Sequence, residues 1–255
     1  SLGFSSNFYF HYSGQEYEDI SGLLKPFLHT WSLSVEEQFY LLFPVALLII
    51  FKNLRKYLVH ILIITLLISL FFTDWGSKNY PSASFYFPHT RLWELLAGSI
   101  LAYFEILLGH RSKEKILNVL FPKIGLLLIV TTIIFFKLYF PHPSFYTLLS
   151  IIGVCLIIWF SQKGELVNRI LSSRLFVGIG LISYSLYLWH YPVFAFDSII
   201  DFSQDNIFKK LLLGFLILLF SIFSYYFVER PARDKKYKYK LILFLIIFSY
   251  SILFL

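Results

Sequence analysis

Two adjacent carboxylates, Glu36 and Glu37, stand at the beginning of an apolar stretch that continues to Phe51. Ionisable side chains at membrane depth cost free energy and usually face a protein interior or a water-filled cavity, so they are candidates for function. In such a cavity a carboxylate can act as a base or orient another group that does. A structural interpretation also stays open. Ser34 and Glu37 fit the Ser-x-x-Glu capping box of a helix start, which would explain Glu37 but not Glu36.

Two further segments place polar side chains in apolar surroundings. Arg91 and Glu94 are three residues apart at the start of one segment, and His190 lies in an aromatic stretch of another, close to Tyr184. Arg91 and Glu94 have the spacing of an ion pair on one helix, and such a pair can be structural or functional. His190 has two interpretations, a base or proton carrier and an anchor in an interfacial aromatic belt. Pro192 lacks an amide proton and predicts a kink in the same helix.

The other titratable residues form no pattern typical of a site. His89 and His142 are loop residues beside prolines, and no spacing of histidine, cysteine and carboxylate residues matches a metal site. We therefore predict no metal. Cys155 is the one cysteine, so it cannot form an internal disulfide, and its apolar neighbours indicate a small buried side chain. The sequence contains no glycine-rich phosphate loop.

The composition is that of a membrane protein. Hydrophobic residues make up 58% of the chain and charged residues 15%, against about 25% charged in soluble domains. The mean hydropathy is +0.71. A membrane-spanning helix needs about 20 mainly apolar residues, or somewhat fewer where its ends are aromatic. Seven segments meet this requirement, namely 32–51, 57–72, 91–108, 124–140, 145–160, 176–196 and 207–228.

An eighth apolar segment, 241–255, is cut off by the end of the chain. The sequence therefore predicts an all-α fold, a polytopic transmembrane helix bundle with seven full spans and a truncated eighth. The chain contains no methionine and begins at Ser1. Together with the cut last segment, this favours a fragment of a longer membrane protein.

Basic residues are concentrated in every second loop. Of the 22 lysine and arginine residues, 16 fall in the loops after the first, third, fifth and seventh segments. Because cytoplasmic loops carry the excess of basic residues, these loops are predicted to face the cytoplasm. Glu36, Arg91 and His190 are then expected to lie toward the outer face at roughly one depth. The net charge of +7 is explained by topology and anionic lipid, and no nucleic-acid partner is predicted.

Four ordered motifs resemble those of a known family. The first is Trp31-Ser32-Leu33-Ser34-Val35-Glu36-Glu37-Gln38-Phe39-Tyr40, followed by Pro44. It is similar to the signature of the membrane-bound acyltransferase-3 family, which contains bacterial O-acetyltransferases of lipopolysaccharide and other surface glycans. Segments 91–98, 182–192 and 229–233 match later helices of that family in the same order. The resemblance covers essentially the whole chain.

The resemblance implies an O-acyltransferase of the bacterial inner (plasma) membrane. It would transfer an acyl group from an acyl-CoA to a hydroxyl of a cell-envelope glycan, with acetyl from acetyl-CoA as the first expectation. No bound cofactor is expected. A base must deprotonate the sugar hydroxyl, and donors must stabilise charge on the acyl oxygen. As catalytic residues we expect Glu36, Glu37 and His190, and as substrate-binding residues Trp31, Ser32, Ser34, Arg91, Glu94 and Tyr184.

The family's proposed catalytic histidine lies on early helices that resemble nothing in this chain. We therefore expect residues 1–240 to be the C-terminal portion of the acyltransferase domain, inactive by itself, and residues 241–255 to begin a further transmembrane helix. Two other functions stay open. A polytopic transporter or glycolipid flippase would use the same polar residues to line a path, and a silent membrane scaffold would use them for structure alone.

Overall fold

The structure, a computed structural model, describes residues 4–13, 24–139, 143–200 and 207–233. Within these ranges all regular secondary structure is helical. The helices are α1 (Ser6–Tyr12), α2 (Trp31–Leu54), α3 (Leu58–Asn79), α4 (Pro81–Tyr86), α5 (Leu92–Leu108), α6 (Lys115–Tyr139), α7 (Thr147–Phe160), α8 (Leu166–Leu171), α9 (Arg174–Ile200), α10 (Ile207–Ser224) and α11 (Arg230–Arg233). Short 3₁₀ turns occupy Leu28–Thr30, Arg55–Tyr57 and Pro88–Thr90, and a π-helix spans Tyr225–Glu229. The predicted all-α class is confirmed.

The seven predicted segments each fall on a helix, and α9 continues through Pro192. By length and composition, three helical stretches of the described residues can cross a membrane: Leu28–Asn79, Lys115–Phe135 and Ile207–Arg233. The first stretch contains both α2 and α3. Helix α7 has 14 residues, which cover about 21 Å, less than the roughly 30 Å hydrocarbon core. Membrane character is thus confirmed, whereas the count of seven spans stays a prediction.

The chain divides into two compact units. The first comprises the described residues of Ser1–Gly22 and Leu28–Ser173, and the second those of Leu23–Phe27 and Arg174–Leu255. The predicted boundary after residue 240 and the eighth segment lie outside the described residues, so the predicted division of the chain stays a prediction.

Three helices form the apolar core of the first unit. Leu58 and Leu62 of α3 and Leu96 of α5 are buried together, and aromatic side chains of α2 pack against them. Among these, Phe39 and Phe43 stack with their ring centroids 4.5 Å apart. Large apolar side chains are exposed elsewhere on α2, as expected where lipid rather than water is the solvent.

Helices α6 and α7 meet at two glycines. A Cβ atom added to Gly125 would lie 2.5 Å from the carbonyl oxygen of Gly153, and one added to Gly153 would lie 2.6 Å from the carbonyl oxygen of Gly125. Small residues allow such close approach of backbones between membrane helices, where dispersion contacts replace the hydrophobic effect as the driving force. The two glycines therefore set the distance between these helices.

Hydrogen bonds join the helices of the second unit. The indole nitrogen of Trp189 in α9 donates to the hydroxyl of Ser224 in α10 at 2.8 Å. The hydroxyl of Ser185 donates to the Glu229 carboxylate at 2.8 Å, and Arg233 pairs with the other oxygen of Glu229 at 2.7 Å. Glu229 belongs to the π-helix, a form found mostly as single-turn insertions in α-helices and frequently at functional sites.

Candidate active site

Buried hydroxyl groups fix the turn that precedes Arg91. The hydroxyl of Thr73 in α3 donates to the carbonyl of Thr90, and Ser84 Oγ donates to the carbonyl of Thr73 at 3.2 Å. Thr90 Oγ1 lies 2.7 Å from the carbonyl oxygens of Ser84 and Phe87. All three hydroxyl residues are buried. Several of these bonds satisfy carbonyls in the turn that have no helical partner, which would otherwise be costly in an apolar environment, and together they hold Arg91 in place.

A second set of bonds docks α1 against the first turns of α2. Ser6 and Ser34 share a hydrogen bond of 2.6 Å between their hydroxyls. Gln38 Nε2 lies 3.0 Å from Asn7 Oδ1, and Asn7 Nδ2 donates to the carbonyl of Tyr86 at 3.1 Å. Ser34 is 3% exposed, so its hydroxyl is engaged by α1.

The capping interpretation of Ser34 and Glu37 is wrong. Helix α2 begins at Trp31, after the 3₁₀ turn Leu28–Thr30, and its N-cap residue Thr30 makes no side-chain cap bond. Ser34 and Glu37 therefore lie inside the helix rather than at its start. Capping accounts for neither residue.

Five of the predicted site residues line one pocket. It has a volume of about 170 Å³, and Val35 and Leu95 contribute to its wall. The predicted residues in its lining are Trp31, Ser32 and Glu36 from α2, Arg91 at the start of α5, and Glu94 from α5. The structure thus brings together the polar starts of the first and third predicted segments.

Arg91 is held by an ion pair and two aromatic rings. Its Nη1 donates to Glu94 Oε1 at 3.1 Å, and its side chain is 10% exposed. The guanidinium carbon lies 5.3 Å from the ring centroids of both Trp31 and Phe85, within the range of a cation–π interaction. Nη2 makes no hydrogen bond with the described residues, and Nε is buried without a partner among them. The predicted Arg91–Glu94 pair is therefore formed.

Glu36 is partly buried in this pocket and makes no hydrogen bond or ion pair with the part of the chain that the structure describes. A carboxylate in this position can accept hydrogen bonds from a ligand. Glu37 is the next residue along the helix and is not among those that line the pocket. Of the two adjacent carboxylates, Glu36 is the one that the structure brings to Arg91 and Glu94.

His190 and Tyr184 lie on α9 in the second unit. His190 Nδ1 is 2.7 Å from the carbonyl oxygen of Tyr187. A carbonyl can only accept, so this contact requires a proton on Nδ1 and leaves Nε2 as the acceptor nitrogen of the neutral ring. Rings of Tyr187 and Tyr191 adjoin the imidazole, and Tyr184 is 45% exposed.

Sequence reasoning missed several residues that build the pocket. The ring of Phe85 lies against Arg91. The sequence feature that could have indicated it is the aromatic cluster Phe85-Tyr86-Phe87, just before Arg91. The buried hydroxyls of Thr73 and Thr90 had no local signal, because their bonds join different elements. The pairing of Ser185 with Glu229 joins two of the motifs named in the sequence but had been assigned no role.

Comparison with known proteins gives an independent result. The family model of the acyltransferase domain (Acyl_transf_3) matches residues 2–226. The chain is 31% identical over 248 residues to the peptidoglycan O-acetyltransferase OatA of Listeria monocytogenes. The aligned region covers 91% of this chain and 39% of that protein. The chain is also 31% identical over 231 residues to the O-acetyltransferase OatA of Staphylococcus aureus, covering 84% of this chain and 37% of that protein.

The chain therefore spans about two fifths of the length of these curated relatives. No solved structure matches it. The family model covers most of the chain and includes every residue of the pocket. The resemblance seen in the motifs is confirmed, and the chain belongs to the acyltransferase-3 family.

Proposed function

We propose that the protein is a membrane O-acyltransferase that transfers an acyl group, in the first place acetyl, from an acyl-CoA to a hydroxyl of a cell-envelope glycan. The observation that supports this most is the pocket where Glu36 has no hydrogen-bond or ion-pair partner among the described residues and Arg91 is held by Glu94 and two rings. A carboxylate and a fixed guanidinium are the groups that proton transfer and charge stabilisation require. The Listeria monocytogenes relative is a peptidoglycan O-acetyltransferase, which makes peptidoglycan the first acceptor to test.

The reaction sets the roles proposed for these residues. The acceptor oxygen attacks the thioester carbonyl, its proton passes to a base, and the C–S bond breaks to release CoA, which takes up a proton. Glu36 accepts the hydrogen bond of the acceptor hydroxyl or orients a base imidazole, as carboxylates do for catalytic histidines. Arg91 stabilises charge on the acyl oxygen, and Glu94 fixes the guanidinium. Trp31 and Ser32 complete the wall of the pocket.

The remaining predicted residues have supporting roles in this proposal. Glu37 adds negative charge next to Glu36, and His190 carries protons through its acceptor nitrogen. Ser34 acts through α1, to which its hydroxyl is bonded, and Tyr184 contributes to acceptor binding. We propose that the basic loops face the cytoplasm of a bacterium and that the pocket faces outward, so that the acyl group, or the part of the donor that carries it, crosses the inner membrane within the protein.

A flippase or transporter would use an unpartnered carboxylate to line a path. The membership of the chain in an acyltransferase family favours transfer over this alternative. The two functions differ in their product, because a flippase moves unmodified glycan whereas an acyltransferase leaves O-acyl groups on it.

The test is NMR of envelope glycan from cells that express the full-length protein. Replacing Glu36 by Gln removes the charge and keeps the shape, and we expect O-acetyl signals to fall at least about a hundredfold, the lower end of what a positioned acid–base group contributes. Glu114→Gln is the matched control, because Glu114 is an exposed loop carboxylate of the same unit. Equal signals in both variants, at equal protein levels in the membrane, would contradict the role of Glu36.

A further inference from the structure

The charged side chains of the described residues that line the pocket do not balance. Glu36 and Glu94 contribute two negative charges and Arg91 one positive charge. The Arg91 charge is matched by Glu94 at 3.1 Å, which leaves the charge of Glu36 uncompensated by the lining. The pocket therefore carries a net charge of about −1 when its carboxylates are ionised.

This charge argues against the phosphate groups of CoA as the occupant. Like charges repel strongly in a partly buried site, where water screens them less than in solution. The volume of about 170 Å³ is also below the 300–1,000 Å³ typical of pockets for drug-sized ligands. It can hold about one sugar ring but not a nucleotide.

The chemistry of Glu36 defines what the occupant must offer. An ionised carboxylate accepts hydrogen bonds and donates none, so a ligand beside it must supply hydroxyl or ammonium donors. Burying this carboxylate against a ligand without donors would cost free energy. Beside it, Arg91 Nη2 makes no hydrogen bond with the described residues and can donate to a neutral ligand oxygen.

We propose that the pocket formed by Glu36, Arg91 and Glu94 is the acceptor subsite, that it binds one uncharged or cationic sugar unit, and that it discriminates against anionic sugars. This proposal rests on the proposed function and adds the charge class of the acceptor. The phosphates of the acyl donor bind elsewhere in the protein.

The experiment measures binding of three tetrasaccharides to the full-length protein in lipid nanodiscs. The ligands are chitotetraose, which is uncharged, its de-N-acetylated form, which is cationic, and tetragalacturonate, which is anionic. We expect the anionic ligand to bind at least about tenfold more weakly than the uncharged one, as one unscreened charge contact allows. In Glu36→Gln this ratio should fall below about threefold, whereas Glu36→Asp and Glu114→Gln should keep it.

Three results would overturn the assignment: binding of the anionic ligand as tight as that of the uncharged one, absence of binding by all three, or displacement of the sugars by desulfo-CoA. Acetyl transfer to chitotetraose is measured separately. Charge-selective binding without transfer would contradict the proposed function and leave the subsite standing. Transfer without charge selectivity would contradict the subsite and leave the function standing.

Discussion

The guanidinium of Arg91 lies over the indole of Trp31, with 5.3 Å between the guanidinium carbon and the ring centroid. The two residues are 60 positions apart in sequence, and both line the pocket that contains Glu36. An aromatic ring can hold a guanidinium without taking up its hydrogen-bond donors. Trp31 therefore orients Arg91 while leaving Nη2 available to a ligand.

Replacing Trp31 by Leu should lower acyl transfer more than replacing it by Phe, which keeps a ring. A cation–π interaction contributes about 0.5–2 kcal/mol, so loss of the ring is expected to lower kcat/KM by about 2- to 30-fold. The measurement is O-acetyl transfer per amount of folded protein, with the thermal unfolding midpoint recorded for each variant. Equal activity of the two variants would show that Trp31 acts through packing volume alone.

Replacing Thr90 by Val should destabilise the fold by about 1–3 kcal/mol, the cost of leaving buried polar groups without a partner. The change keeps the side-chain shape but removes the donor to the carbonyls of Ser84 and Phe87. Thr132→Val is the control, because among the described residues Thr132 Oγ1 donates its hydrogen bond to the carbonyl of Leu128 in its own helix. Unfolding in detergent checks both variants, and equal losses of stability would contradict the role of the turn.

Replacing Gly125 or Gly153 by Ala should destabilise the first unit by about 1–3 kcal/mol, as overpacking usually does. In each case the new Cβ atom would collide with a backbone oxygen of the other helix. Gly98→Ala is the matched control, since nothing lies within 4 Å of a Cβ at that helical position, and it should be neutral or slightly stabilising. If Gly98→Ala lowered the thermal unfolding midpoint as much as the other two variants do, the close contact between Gly125 and Gly153 would be contradicted.

The stability of the protein should depend on the protonation of His89, which lies between the predicted spans. Burial lowers the pKa of His89 from its ordinary value of 6.5. The folded state then binds fewer protons than the unfolded chain, so this residue stabilises the fold above the unfolded pKa and loses that contribution as the pH falls below it. The difference between the thermal unfolding midpoints of the native protein and His89→Gln should therefore shrink, or change sign, as the pH is lowered from 8 to 5. A difference independent of pH would contradict this.

The parts of the site that follow from local spacing were predictable. Arg91 and Glu94 are three residues apart on a helix, and their pairing needs no tertiary information. The alternation of loop charge placed Glu36 and Arg91 on the same side of the membrane, and the structure brings both into one pocket. The length of the apolar segments likewise predicted the long helices, since apolar stretches of that length have few other folds in a membrane.

Other features depend on contacts between distant residues. Helix α2 begins at Trp31, directly after a 3₁₀ turn, and its N-cap residue Thr30 makes no side-chain cap bond. Helix α4 is six residues long and begins at Pro81 within what looked like a loop, too short to show a period. The π-helix Tyr225–Glu229 differs from an α-helix in its i→i+5 hydrogen bonds, a difference that the hydropathy of an apolar stretch does not reveal.

The contact between Gly125 and Gly153 limits the routes open to a substrate. With each carbonyl oxygen against the other glycine, the seam between α6 and α7 at that level is narrower than a methylene chain. An acyl group that crosses the membrane inside this protein cannot pass there. Any route proposed for an acyl group through this protein therefore has to exclude the α6–α7 seam at the level of Gly125 and Gly153.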